Sequence, residues 1–475
     1  MKTVFKLIMI TGMALVWALP ATAQQPAAPA EKPAAQKQAP PAGGPPKPFA
    51  VPRTEKFKLP NGLEVTLAPY GSLPKVSVLA EIRVGSLNES ADQIWLSDIV
   101  SRLLKDGGTS SRSAAQVAQE AASMGGSLRV DVDEDTTSVY ADVLSEFGPK
   151  MAALIADVVQ HPLLPESELA RLKQDALRRL AITKSQSQPL AAEQFAKALY
   201  PDHPYGRTYP TEEMINKFSI AEIQKFYKEN FGAVRTHIYV AGKFDAPAMK
   251  KAITDSFSAW AHGPEPLINI PKPSTKREFV LVDRPDATQS TVYIGLPTID
   301  PSNPDYIPLS VTNSILGGSF GSRITSNIRE QKGYTYSPFS FISARYRDGY
   351  WAEVADVTTA VTGPSIKEIF GEVDRLRNEA PSADELQGIK DYMSGIFVLQ
   401  NSSRGGIINQ LAFVDLHNLG DKYLQNYVQN VFAVTPQQVQ QMTQKYLDPK
   451  KMTIVVVGDK SKIADQLTPY QGTGQ

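Results

Sequence analysis

Cysteine is absent from the 475 residues, which excludes disulfides, thiolate metal sites, a cysteine nucleophile and an acylated lipoprotein anchor. Histidine is nearly as scarce. His161, His203, His237, His262 and His417 are the only five, and no two lie within four residues of each other. No local His–His metal site can therefore be built. Charge of either sign in excess is lacking too: Lys+Arg and Asp+Glu both number 49, which argues against a polybasic nucleic-acid or membrane-surface protein. The apolar run over residues 7–19 falls short of the roughly 20 residues that a membrane-spanning helix needs. No Gly-x-Ser-x-Gly nucleophile motif occurs.

What is present begins with a targeting pattern. Lys2 and Lys6 precede the apolar run, and Ala21-Thr22-Ala23 supplies small residues for a signal peptidase. The expectation is an exported protein, periplasmic or else secreted, with residues 1–23 removed by cleavage after Ala23. Residues 24–50 are dominated by Pro, Ala, Gln and Lys and predict a disordered tether. The length of the rest calls for two or more domains. Prolines 264, 266, 271 and 273 mark a linker at 262–276 between domains at 51–261 and 277–475.

The two halves look alike. Glu168-Leu169 opens a helical pattern after Pro165, as Glu385-Leu386 does after Pro381. Val240-Ala241-Gly242 closes one half and Val456-Val457-Gly458 the other, while Phe57-x-Leu59 and Phe279-x-Leu281 begin them. Three pairs at nearly one separation indicate a duplicated domain. Asn61-Gly62 between apolar runs predicts a hairpin. Val76, Val78, Ala80, Ile82 and Val84 alternate as a half-buried strand, with Leu79 apolar and out of phase. Leu96, Ile99, Val100, Leu103 and Leu104 form one helical face, and Ile366, Ile369, Phe370, Val373 and Leu376 another. Ser382-x-x-Glu385 reads as a capping box. Strands grouped before and after helices predict an α+β fold: two homologous domains, each an antiparallel or mixed sheet packed with helices.

Specific motifs sharpen this. Residues 59–67 (Leu-Pro-Asn-Gly-Leu-Glu-Val-Thr-Leu), the strand ending Val84-Gly85-Ser86 and the helix leading to Gly107-Gly108-Thr109 are similar to the start of insulinase/pitrilysin-type zinc peptidases. The second half adds Leu316-Gly-Gly-Ser-Phe-Gly-Ser-Arg323 and Arg329-Glu-Gln-Lys-Gly-Tyr-Thr-Tyr336, which resemble that family's glycine-rich turn and R-E-x-x-G-x-x-Y segment. In the family, the helix of the first half carries H-x-x-E-H. Two histidines one helical turn apart bind zinc, and the glutamate acts as base for the zinc-bound water. A glutamate from a later helix completes the set.

The corresponding positions here read Asp98-Ile-Val-Ser101-Arg102. Both histidines and the base are replaced, and arginine has no lone pair to give a metal. Arg178 and Arg179 stand roughly where the later glutamate is expected, and Glu193 falls several turns too late. Asp98 and Arg102, at i and i+4, are expected to pair with each other. This chain is therefore expected to hold no metal and to cleave nothing alone.

Arg329 and Tyr336 keep the family's spacing. The resemblance implies that they reach over a substrate held at zinc and steady its developing oxyanion. Gly317, Gly318 and Gly321 form the turn before them, readable as tight backbone packing or as part of a substrate-engaging loop. The resemblance thus implies a non-catalytic, substrate-binding subunit of a heterodimeric zinc peptidase. Zinc and the intact H-x-x-E-H would reside in the partner, and peptides would be the substrates. A scaffold or peptide-binding protein without any peptidase partner is the alternative. Each histidine is expected to be structural.

Overall fold

The computed structural model describes residues 50–472, so the signal segment and all but the last residue of the tether lie outside the described residues. Six strands build the first sheet: β1 (Glu55–Lys58), β2 (Glu64–Pro69), β3 (Lys75–Ile82), β4 (Arg129–Val132), β5 (Thr137–Leu144) and β6 (Thr236–Gly242). Their order is β1-β2-β6-β3-β5-β4, with β2 and β6 parallel and the other pairs antiparallel. The β1–β2 hairpin turns at Asn61-Gly62, where Gly62 has φ +92°, a conformation open to a residue without Cβ.

The second sheet repeats the plan with β7 (Phe279–Asp283), β8 (Gln289–Pro297), β9 (Phe339–Arg345), β10 (Asp348–Thr358) and β11 (Thr453–Gly458), in the order β7-β11-β8-β10-β9. Here β7 and β11 are the parallel pair. Register fixes the equivalence between halves: Val65 pairs with Ile238, and Phe279 pairs with Ile454. The counterpart of Phe279 is therefore Val65, not Phe57. The Phe57 strand is an additional edge of the first sheet, which is why that one sequence pair was out of step with the other two.

Each sheet buries one face against helices of its own half, and these make the two largest cores. The other faces are covered reciprocally. The helix Ser187–Leu199 of the first half lies on β8 and β11, where Phe195 packs 4.5 Å from the Tyr293 ring. The helix Arg404–His417 of the second half lies on β3 and β6, placing Ile407, Ile408 and Leu411 against Leu79, Tyr239 and Ala241. Leu79 is thus apolar out of phase because β3 is buried on both faces. Arg404 clamps the exchange, its Nε and Nη2 donating to Asp142 on β5 at 2.8 and 3.1 Å. Among the described residues no helix is long and apolar enough to cross a membrane.

Candidate functional site

The helix Leu96–Asp106 buries Leu96, Ile99, Val100, Leu103 and Leu104, so Asp98 and Arg102 are left on its outer side. Its first turn is unusually built. Trp95 adopts a left-handed φ of 74°, and the carboxylate of Glu89 accepts from Trp95 N at 3.0 Å, Ser97 N at 2.8 Å and Ser97 Oγ at 2.6 Å. Burial raises the Glu89 carboxyl to about 7, although these donors and their hydrogen bonds pull the other way. Ser101, also buried, turns its hydroxyl back to the Asp98 carbonyl at 2.8 Å.

Asp98 pairs with Arg102, whose Nε donates at 3.0 Å, and it has a second and stronger partner. Arg179 reaches over from the helix Glu166–Lys184 and donates through Nη1 and Nη2, at 2.7 and 2.6 Å, to the two carboxylate oxygens. This bidentate fork is the most specific ion-pair geometry arginine makes. The Trp95 ring supports it from one face, 4.0 Å from the Arg179 guanidinium carbon. Arg178, the neighbour in sequence, points instead to Asp175. Glu193 sits on the exchanged helix and bonds Lys197 at 2.7 Å.

The family-type zinc set can now be tested against these side chains. Both oxygens of Asp98 are engaged by guanidinium groups, and the positions around it hold cations without lone pairs. Among the described residues no group of three or more His, Cys, Asp or Glu side chains could hold a metal ion. The residues present do not fit zinc. Asp98 and Arg179 border a cleft of about 520 Å³ lined also by Tyr205, Arg345 and Tyr350.

His417 Nδ1 is buried with no hydrogen-bond partner among the described residues, whereas two other histidines are engaged locally. His203 Nδ1 accepts from Tyr205 N at 3.2 Å and caps a turn, while His237 lies between Thr66 and the Tyr239 hydroxyl. Burial lowers His237 and His417 to about 4.

Arg329 and Tyr336 lie elsewhere, and neither lines that cleft. The chain leaves the helix Tyr306–Asn313 through a wide π-helical turn, Ser314–Gly318, and a second one, Thr325–Gln331, carries Arg329. Wide turns of this kind are rare and concentrate at functional sites. The guanidinium carbon of Arg329 lies 4.9 Å from the Tyr336 ring and 4.4 Å from that of Phe320, a residue the sequence reading did not single out. Arg329 Nε meets Glu330 at 3.1 Å, and its two Nη groups have no partner among the described residues. Tyr336 is 78% exposed.

The glycines divide. A Cβ on Gly317 would lie 2.5 Å from Glu353 Oε2 and from Ser340 Oγ, and one on Gly318 would lie 2.4 Å from Asn313 Nδ2. Close packing demands glycine at both. A Cβ on Gly321 would meet nothing within 4 Å. Beyond the turn, Arg323 donates to both oxygens of Glu385 at 2.8 Å. Ser382 still caps the following helix by accepting from Glu385 N, but the Glu385 carboxylate is diverted to Arg323, so the capping box is only half formed.

Comparison with known proteins bears on both regions. Residues 69–211 match the family model described as Insulinase (Peptidase family M16), and residues 217–393 match the one described as Peptidase M16 inactive domain. An uncharacterized zinc protease of Mycobacterium bovis is 27% identical over 78% of this chain and 82% of its own length. Among solved structures, a peptidase M16 inactive domain from Pseudomonas fluorescens superposes with a TM-score of 0.78 at 23% identity, over 85% of this chain and 98% of that one. A protease from Helicobacter pylori gives 0.80 at 19% identity, over 86% and 100%. At these identities the two structures show the fold alone.

Proposed function

Because the chain belongs to the insulinase (M16) peptidase family, we propose that it is the non-catalytic, substrate-binding subunit of an exported, heterodimeric zinc metallopeptidase acting on peptides. The observation that carries this reading is a contrast within one molecule. Where the family's ligands would stand, Asp98 is saturated by Arg102 and Arg179. The Arg329 guanidinium, by contrast, has no partner for either Nη group among the described residues and lies beside the exposed Tyr336 side chain.

Zinc, its water and the general base belong to a partner chain with intact H-x-x-E-H. This chain presents Arg329 and Tyr336 to a peptide held there. Their N–H and O–H groups donate to the carbonyl oxygen as it gains charge, and such donors act only on the transition state. Gly317 and Gly318 hold the turn in place from below, and Gly321 leaves its upper side open to substrate. Export delivers the subunit to the periplasm with Gln24 as its first residue. The chain itself holds no metal and hydrolyses nothing alone.

Co-purification from the native host tests this. An H-x-x-E-H chain of the same family is expected in the complex, with peptidase activity in the complex alone. Recovery of a stable assembly without such a chain would favour a scaffold or peptide-binding role instead.

A further inference from the structure

Phe320 is 69% exposed at the tip of the glycine-rich turn and belongs to no core cluster. One exposed apolar side chain needs no explanation by itself. What its ring touches is informative. Ser322 N donates to Ser319 O at 3.1 Å and closes a four-residue turn with Phe320 at its second position, which projects the ring outward. There the ring lies 4.4 Å from the Arg329 guanidinium carbon, and the Tyr336 ring lies 4.9 Å from the same carbon.

An arginine on a wide helical turn has four side-chain torsions to settle. Glu330 fixes one edge through Nε, and neighbouring rings restrict the plane through attraction between cation and quadrupole. Among the described residues nothing pairs with the edge carrying the Nη groups. A carbonyl oxygen gaining charge must be met by donors already in place, because reorientation during the reaction costs what the hydrogen bonds contribute. Of the two rings against Arg329, that of Phe320 is the nearer to the guanidinium carbon.

Resting on the reading of the Arg329 and Tyr336 region above, we propose that Phe320 is a positioning residue. Its ring holds the Arg329 guanidinium in the plane that presents the Nη groups to the peptide carbonyl. Phe320 makes no contact with the reacting atoms, and its effect passes through Arg329.

Two measurements test this. In the isolated chain, NMR of the Arg329 Nε–Hε group should show a ring-current shift. Phe320→Leu should diminish the shift, and Phe320→Tyr should preserve it. In the reconstituted heterodimer, assayed with an internally quenched peptide, Phe320→Leu should lower kcat about 5-fold, the scale of one partly exposed cation–π contact, with KM and complex formation unchanged. Phe320→Trp and Phe320→Tyr should restore kcat, which a merely apolar surface role would not require. An Arg329 resonance indifferent to Phe320→Leu would overturn the inference. So would unaltered kcat in Phe320→Leu alongside a strongly impaired Arg329→Ala, and that pattern leaves the subunit reading standing. Full activity in Arg329→Ala and Tyr336→Phe as well would remove the subunit reading itself.

Discussion

The Asp98 position and the Arg329 position are both built around arginine, and they differ in what is left over. At Asp98 two guanidinium groups share one carboxylate, a Trp ring covers Arg179 from one side, and both carboxylate oxygens are engaged. At Arg329 the rings lie against the group while its Nη edge and the Tyr336 hydroxyl have no partner among the described residues. Arg179 Nε is buried without a partner among the described residues, but the Asp98 carboxylate is engaged on both oxygens, and such a pair stabilises what is already folded. An ordered, unsatisfied donor is useful only to something that arrives. On the proposed reading, the Asp98 position is structural and the Arg329 position is equipped to bind.

The sharpest way to break this contrast is to delete the free donors. Arg329→Ala and Tyr336→Phe should each reduce turnover by the heterodimer on the order of 10²–10³-fold. Tyr336→Phe should leave the thermal midpoint of the isolated chain unshifted, and size exclusion should show assembly intact for both variants. Tyr336→Phe is the cleaner probe, since it removes one hydroxyl and keeps the ring.

The floor of the turn should respond in stability. Gly317→Ala forces a Cβ to 2.5 Å from Glu353 and Ser340 and should cost about 1–3 kcal/mol by urea denaturation. Gly321→Ala meets nothing and should leave stability near that of the native chain.

Glu353 itself, fully buried with neither oxygen hydrogen-bonded, has its carboxyl pushed well above the ordinary value by burial. The folded state thus keeps a proton that the unfolded chain releases near pH 4. Its contribution to stability is complete below that pH and declines as pH rises toward the shifted value. Glu353→Gln removes this ionisation, so at pH 8 the variant should resist urea better than the native chain, and the difference should shrink as the pH falls toward 4.

Asp98→Ala is expected to act on stability and not on turnover. It strands two partly exposed arginines and should cost about 1–2 kcal/mol of stability, while heterodimer turnover stays unchanged.

Much of this organisation was legible in the sequence because it rests on local periodicity. The β3 alternation, the face of the Leu96–Asp106 helix and the Asn61-Gly62 hairpin each follow from neighbours a few residues away. Leu79 did not yield to that logic, since its cover comes from the helix Arg404–His417, on the far side of the linker. The Asp98–Arg102 pair was visible as an i, i+4 spacing. The choice of Arg179 over Arg178 was not, because it depends on how the second helix is rotated against the first. Glu353 did leave a signal: it shares an alternating face with Trp351, Ala355 and Val357, all of them inward. Phe320 left none, since its stack on Arg329 requires two wide turns that no simple residue preference announces.

The claim at the centre of this account is that the Asp98 position has exchanged a metal for an ion-pair cluster. Elemental analysis of the purified chain, after incubation with zinc and desalting, tests it most directly. The account predicts no stoichiometric zinc and no peptide hydrolysis by the chain alone. Near-equimolar zinc, accompanied by chelator-sensitive hydrolysis and lost in Asp98→Ala, would contradict it.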